Sequence, residues 1–118
     1  MPHVNRPFLP TNTNAIAATA TSQSRAMPNA VGEVGAAFYN DGPGVAFVVT
    51  GGAAVVATLP TLTANTGAVG NATPVPVGAS VNLSYLNTGT DTLTVTHWAA
   101  ICPAAGTANV YCTAGSGV

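Results

Sequence analysis

Few side chains in this sequence could carry out chemistry, and their surroundings decide what each can do. The chain has three acidic residues, Glu33, Asp41 and Asp91. Acid–base hydrolysis usually needs two carboxylates held on either side of a substrate. Asp41 and Asp91 both lie in glycine-containing stretches that are typical of turns. Turn formation therefore explains these carboxylates better than catalysis does.

A nucleophile and a base could be supplied by Cys102 and His97. His97 is the one histidine inside the predicted fold, and a catalytic triad would also need an acid beside it. The run that carries His97 alternates so that His97 shares a face with Val95 and Ile101. A packed or interface histidine is therefore favoured, and we expect no catalytic residue and no enzyme activity.

The cysteines do not form a metal-binding motif. Cys102 and Cys112 are too far apart for a CxxC pair and lack His or Cys companions at zinc spacing. Neither GxGxxG nor a lysine-containing phosphate loop occurs, so we expect no metal and no cofactor. Two buried free thiols are favoured, with a disulfide across the last predicted hairpin as the alternative.

Aromatic side chains allow one further kind of site. Exposed rings on a β-sandwich can stack against sugars, and the candidates here are Trp98, Tyr85, Tyr111 and Tyr39. Packing inside the fold is the favoured explanation for them.

Charge is scarce along the whole chain. Charged residues make up 4% of it, the formal net charge is -1 and lysine is absent. This composition lacks the basic footprint of a nucleic-acid-binding protein. No apolar stretch approaches the roughly 20 residues of a membrane helix, and the start lacks a secretory signal pattern. Because strand edges lack guarding lysines, we expect partners to cover much of the surface.

The elements that must position these residues are β-strands. From Ala30 onward, short β-branched runs are broken by turn residues, and no helical period is sustained. Residues 45–50 are apolar on both faces, which predicts a central or interface-buried strand. Residues 60–78 are predicted to form a surface excursion, and the last two strands a terminal hairpin. The fold class is all-β, a β-sandwich or jelly roll of about eight short strands.

Residues 1–28 are predicted to form an extended N-terminal arm, and residues 29–118 a single β-sandwich domain. The arm holds four of the prolines and both arginines, and we expect it to lie on another chain. The arginines are expected to pair with carboxylates or carbonyls of that partner. The candidate partner-binding residues are Arg6, Phe8, Leu9, Arg25 and Trp98.

Four stretches of the sequence form a recognisable series: FYNDG at 38–42 leading to Phe47, TPVPVGASV at 73–81, WAAI at 98–101 and ANVYCTAGSG at 108–117. With them, roughly residues 35–118 resemble small virion-associated proteins of tailed bacteriophages. In those proteins a strand ending in an Asn-x-Gly turn precedes an apolar strand, a P-x-P-x-G segment leads into the next strand, and a tyrosine strand ends in a Gly-rich tail.

The resemblance implies a capsid decoration, or cement, subunit. Such proteins are made in the host cytoplasm and bind the major capsid protein on the capsid surface of the virion, as homo-oligomers (dimers or trimers). The alternatives with the same fold are a tail, neck or fibre component and a glycan-binding host-recognition module. Neither nucleic acid nor membrane is expected as a partner.

Overall fold

The strands follow the alternating apolar runs of the sequence. The computed structural model describes residues 9–28, 35–61, 69–84 and 95–116. In that part of the chain, no helix is long and apolar enough to cross a membrane. The prediction of an all-β fold with about eight strands is confirmed. The described strands are β1 (Leu9–Ala18), β2 (Gln23–Ala26), β3 (Gly35–Pro43), β4 (Ala46–Gly51), β5 (Thr73–Val75), β6 (Ser80–Ser84), β7 (His97–Ile101) and β8 (Ala108–Ser116).

These strands form two four-stranded antiparallel sheets. Sheet A has the order β1-β8-β3-β6 and sheet B the order β2-β7-β4-β5. The first strand pairs with the last, β2 with β7, β3 with β6 and β4 with β5. The chain is thus an antiparallel ribbon that folds back on itself and rolls into two sheets. This pairing is the jelly-roll topology, which decides between the two alternatives that the sequence left open.

The core fills the space between the sheets. Its two largest fully buried side chains are Trp98 of β7 and Phe38 of β3, whose ring centroids lie 5.4 Å apart at an interplanar angle of 54°. Strands β3 and β8 direct alternate residues inward, as Val110 and Cys112 of β8 show. Strand parity therefore determines which residues lie on the two outer faces.

Asn40 is the one fully buried polar residue in the described part of the chain. Its Nδ2 donates hydrogen bonds to the carbonyl oxygens of Gly44 and Val75, both at 2.8 Å. Its Oδ1 accepts from the backbone N–H of Gly42 at 2.7 Å. Both hydrogens of the amide are used, so the group is well satisfied despite its burial. Asn40, on β3 of sheet A, thereby bonds both to the β3–β4 connection and to β5 of sheet B.

Residues 9–28 belong to the sandwich, which corrects the predicted boundary between an arm at 1–28 and a domain at 29–118. β1 pairs with β8 and β2 pairs with β7. Ladder hydrogen bonds to β8 and β7 tie this segment into the two sheets, and Ile16 is buried in the core. Of the predicted arm, residues 1–8 lie outside the described residues.

The predicted terminal hairpin is wrong, because β7 and β8 lie in different sheets. β7 pairs with β2 and β4, whereas β8 pairs with β1 and β3. The segment between them crosses the sandwich through a tight turn closed by the Gly106 N–H and the Pro103 carbonyl at 2.8 Å. The face of β7 also differs from the prediction, since Trp98 points inward and His97 outward. The larger apolar surface of the indole gains more from burial.

The predicted excursion over residues 60–78 contains a strand, β5, which pairs with β4. Its preceding part is held by Asn71, whose Oδ1 accepts from the Thr58 N–H and whose Nδ2 donates to the Val56 carbonyl, both at 2.8 Å. Gly70 passes so close to this backbone that a Cβ would lie 2.4 Å from the Thr58 carbonyl oxygen. A side chain at that position would therefore displace the segment.

Candidate functional site

The two residues that could form a nucleophile–base pair face opposite sides of sheet B. Cys102 is fully buried in the core. His97 faces the other side, and its Nδ1 lies 2.8 Å from the hydroxyl oxygen of Thr96. Within the described ranges, no group of three or more His, Cys, Asp or Glu side chains is placed to hold a metal ion. Cys102 and His97 are therefore not placed together as a nucleophile and a base.

Both cysteines are free thiols with buried side chains. Desolvation by burial raises the pKa of Cys112 to about 12, and it also raises the pKa of Cys102. The thiolate is the form that attacks electrophiles and binds metals, so both groups act as small apolar side chains. Of the two alternatives for the cysteines, the structure shows the buried free thiols.

We expect Cys112 to destabilise the fold at high pH. In the unfolded chain this thiol has a pKa near 9.0, below the value of about 12 in the folded protein, so the unfolded state loses the proton first. The stability contributed by the protonated thiol is complete below about pH 9 and is lost as the pH rises towards about 12. Urea unfolding across this range measures the decline.

The matched variant for this experiment is Cys112→Ala, which removes the titrating group and should flatten the alkaline decline. Iodoacetamide should label neither Cys102 nor Cys112 in the folded protein, and both after unfolding in urea. An alkaline decline of the same slope in Cys112→Ala would contradict the assignment. So would rapid labelling of the folded protein.

The predicted partner-binding residues lie in different settings. Arg6 and Phe8 lie outside the described residues, and Leu9 begins β1, where its backbone is in register with β8. Arg25 is exposed on β2, and its guanidinium donates to the Ala15 carbonyl of β1 at 2.8 Å. An arginine has five N–H donors, so this bond leaves donors for a partner as well.

The burial of Trp98 contradicts its expected role as a partner contact. The side chain is completely buried, and its Nε1–H donates to the Asn14 Oδ1 at 3.0 Å. Asn14 in turn donates through Nδ2 to the Ala26 carbonyl of β2 at 2.8 Å. The indole lies inside because it fills the core, and its one polar atom joins a chain of hydrogen bonds that links the two sheets.

An exposed aromatic pair lies on the outer face of sheet A. Tyr39 of β3 and Tyr111 of β8 are directly opposite each other in register. Their rings are stacked, with centroids 6.4 Å apart and an interplanar angle of 28°, and each residue is 39% exposed. Their neighbours across the sheet are small and uncharged: Tyr111 is opposite Ala15 of β1, and Tyr39 is opposite Ser80 of β6. Next to them, the hydroxyl groups of Thr13 and Thr113 share a hydrogen bond of 2.8 Å. We call this surface the tyrosine face: Tyr39, Tyr111, Ala15, Ser80, Thr13 and Thr113.

Sequence reasoning named both tyrosines as aromatic candidates but did not pair them. Alternation with the buried residues Phe38 and Val110 places Tyr39 and Tyr111 on outward positions of their strands. That signal is present in the sequence. Their contact depends on the register between β3 and β8, which are far apart along the chain.

Residues 52–61 connect the two edges of the outer side of sheet B. This segment begins after Gly51, at the end of β4, and reaches the opposite edge of the sheet, where the Ala57 N–H donates to the Ser22 hydroxyl at 2.8 Å. Ala57 and the outward-facing Ala99 of β7 are both buried. Strand β4 lies between β7 and β5, so the prediction of a central strand is confirmed. Among the described residues, the tyrosine face is the open one of the two outer faces.

The strand pairing defines this chain as a jelly-roll protein, and one of its outer faces carries an exposed aromatic pair. It matches no family model, no curated protein and no solved structure. Its class therefore rests on the topology of sheets A and B.

Proposed function

We propose that this chain is a structural virion protein of a bacteriophage, a decoration subunit that binds the major capsid protein and stabilises the head shell. The tyrosine face carries this proposal, because aromatic residues are enriched at protein interfaces whereas most charged residues are depleted from their cores. The jelly roll supports it, since viral capsid domains use this topology repeatedly. The resemblance of residues 35–118 to phage virion proteins points to the same class of assembly.

The scarcity of charge indicates how such a subunit would attach. The charged residues of the described part are Arg25 and Asp41. Both adjoin the tyrosine face, because Asp41 lies two residues from Tyr39 on the same side of β3 and the Arg25 guanidinium bonds to the Ala15 carbonyl. Around the stacked tyrosines themselves, most of the available contacts are ring burial and hydroxyl hydrogen bonds. Salt screens interactions between exposed charges over about 10 Å at 0.1 M, and it affects apolar burial far less. Attachment should therefore depend weakly on ionic strength.

Attachment can be measured by co-sedimenting the purified protein with heads that lack it. We expect the dissociation constant to change less than about threefold between about 50 and about 500 mM NaCl. The Tyr39→Ser/Tyr111→Ser double variant should bind at least about tenfold more weakly, because it removes both central rings. Val77→Ser is the matched control, since it changes an exposed apolar residue on the β5–β6 connection.

Two outcomes would contradict this mode of attachment: release by moderate salt, or full binding by the double tyrosine variant. Cryo-electron microscopy of virions tests the location separately. Regular copies on the capsid lattice support decoration of the head. Copies found only on the tail, neck or fibres would replace the head location with one of those sites.

A glycan-binding module is the second candidate, and the tyrosine pair is the observation that favours it. Stacked, half-exposed rings can receive a sugar, and hydroxyl groups such as those of Thr13 and Ser80 could bind its oxygens. Saturable binding of a soluble oligosaccharide, lost in Tyr111→Ser, together with no binding to heads, would favour this candidate over decoration.

A further inference from the structure

The free edges of the two sheets differ in how they are protected. Sheet A ends in β1 and β6, and sheet B ends in β2 and β5. An edge strand exposes unpaired N–H and C=O groups that can pair with another chain. β1 has an irregular register between Pro10 and Asn12, and its Ala15 carbonyl accepts a hydrogen bond from the Arg25 guanidinium. Both features oppose the addition of a further strand at β1.

The edges of sheet B are protected in other ways. The Ala26 carbonyl of β2 accepts a hydrogen bond from the Asn14 side chain at 2.8 Å, and β2 has only four residues. β5 has three residues and contains Pro74, which has no N–H to donate. Short strands and proline are devices by which sheets resist pairing at their edges.

The edge at β6 has none of these devices. It has five residues, SVNLS, without proline or charge, and no side chain of the described residues donates to its backbone. The Asn40 N–H donates to the Ala79 carbonyl at 3.2 Å, so the hydrogen-bonded pairs with β3 fall at Val81 and Leu83. The alternate residues direct their backbone N–H and C=O groups away from β3: Ser80, Asn82 and Ser84.

The sequence of β6 is also complementary to itself. When two copies run antiparallel with Asn82 opposite Asn82, Val81 of one copy faces Leu83 of the other, and Ser80 faces Ser84. Val81 and Leu83 then meet on the core side, and the two Asn82 residues meet on the outer side. The three outward-directed residues of each copy would exchange about six backbone hydrogen bonds across the contact.

Burial and charge favour the same arrangement. Val81 and Leu83 pack against the core but remain only partly buried, and a neighbouring strand would cover them. Asp41 lies on β3 beyond the position that pairs with Ser80, so a two-fold axis through Asn82 would place the two Asp41 carboxylates at opposite ends of the contact. No charged side chain of β6 opposes the approach of an identical strand.

We propose that two copies of this chain join edge to edge through β6, so that their A sheets form one continuous eight-stranded sheet. The two-fold axis is perpendicular to that sheet, and both tyrosine faces point to the same side. A dimer would thus present two tyrosine faces at once, which strengthens attachment to a regular lattice through avidity. This last consequence rests on the proposed function, whereas the pairing itself does not.

Sedimentation velocity of the purified protein at about 100 μM tests the pairing. Wild type should be a dimer. Asn82→Lys should raise the dimer dissociation constant at least about tenfold, because it places two like charges opposite each other. Asn12→Lys adds the same charge to the other edge of sheet A and should leave the dimer intact. A monomeric wild type, or a dimer that Asn82→Lys does not weaken, overturns the proposal.

A second variant tests the register. Asn82→Cys places two thiols across the two-fold axis, where the Cα separation of about 5.5 Å in a hydrogen-bonded pair suits a disulfide. Because the native thiols are buried, mild oxidation should give a covalent dimer of this variant alone. Failure to cross-link a folded, dimeric variant overturns the register. If the wild-type protein is a monomer that still binds heads, only the pairing is overturned. If it is a dimer that does not bind heads, only the proposed function is overturned.

Discussion

Replacing Asn40 by aspartate should cost about 3–5 kcal/mol of folding stability at neutral pH, the range seen when a buried charge is left unpaired. The change replaces the Nδ2 donor with an oxygen that faces the Gly44 and Val75 carbonyl oxygens, both 2.8 Å away in the native protein. The new group is either an ionised carboxylate beside two acceptors or a carboxylic acid that has taken up a proton. Typical domains have only about 5–15 kcal/mol in total, so a large part of the fold's stability is at risk.

The loss in Asn40→Asp should depend on pH. Burial and the two carbonyl oxygens raise the folded-state pKa of the introduced carboxyl above its ordinary value near 4. The free energy of unfolding of the variant should therefore fall least below that of wild type at or below about pH 4, and the difference should grow as the pH rises towards 7. Chemical denaturation followed by circular dichroism measures both effects. Asn12→Asp, a change at an exposed position of β1, should stay within about 0.5 kcal/mol of wild type. Equal losses in the two variants would show that the buried bonds are not the cause.

Truncating Trp98 to alanine should destabilise the protein by about 3–5 kcal/mol. The change empties the largest side-chain volume in the core, removes the contact with the Phe38 ring, and leaves the Asn14 Oδ1 without its indole donor. Trp98→Phe should lose less, because it retains most of the apolar contact and gives up mainly the hydrogen bond. Far-UV circular dichroism is the suitable probe, since Trp98 is the only tryptophan.

Tyr111→Ala is the matched control for Trp98→Ala, because it truncates an aromatic side chain on the outside of the same sandwich. Its expected cost is that of one cross-strand pair, about 0.2–1 kcal/mol. The same variant should weaken attachment to heads, whereas Trp98→Phe should leave attachment unchanged in the folded protein. A loss for Tyr111→Ala as large as that for Trp98→Ala would mean that the tyrosine face is part of the structural core rather than an interface.

The hydrogen bonds of Asn14 and Arg25 give the sandwich two unequal sides. On the side of β1 and β2, these side chains bond to backbone carbonyls across the gap between the sheets. At the opposite edge of sheet A, no side chain of the described residues donates a hydrogen bond to the backbone of β6. Because of this asymmetry we expect sheet A to extend at β6, where pairing would leave the tyrosine face uncovered.

Much of the fold could be predicted from local patterns in the sequence. Residues 45–50 are apolar on both faces, which predicted a central strand, and β4 lies between β7 and β5. The alternation around Tyr39 and Tyr111 placed each ring on one side of a strand. The isolation of Cys102 and Cys112 from other ligands favoured buried thiols. These properties depend on neighbouring residues along one strand, which is why the sequence alone determined them.

The tertiary structure decided which strands are neighbours and which face of each strand is the core. Thr13 and Thr113 share a hydrogen bond although they are 100 residues apart in the chain, and that pairing turned a predicted arm into β1. The reversal of β7, with Trp98 inside and His97 outside, has the same origin. A period of two shows which residues share a face, but the choice of face and partner strand depends on the total apolar surface that the two sheets bury together.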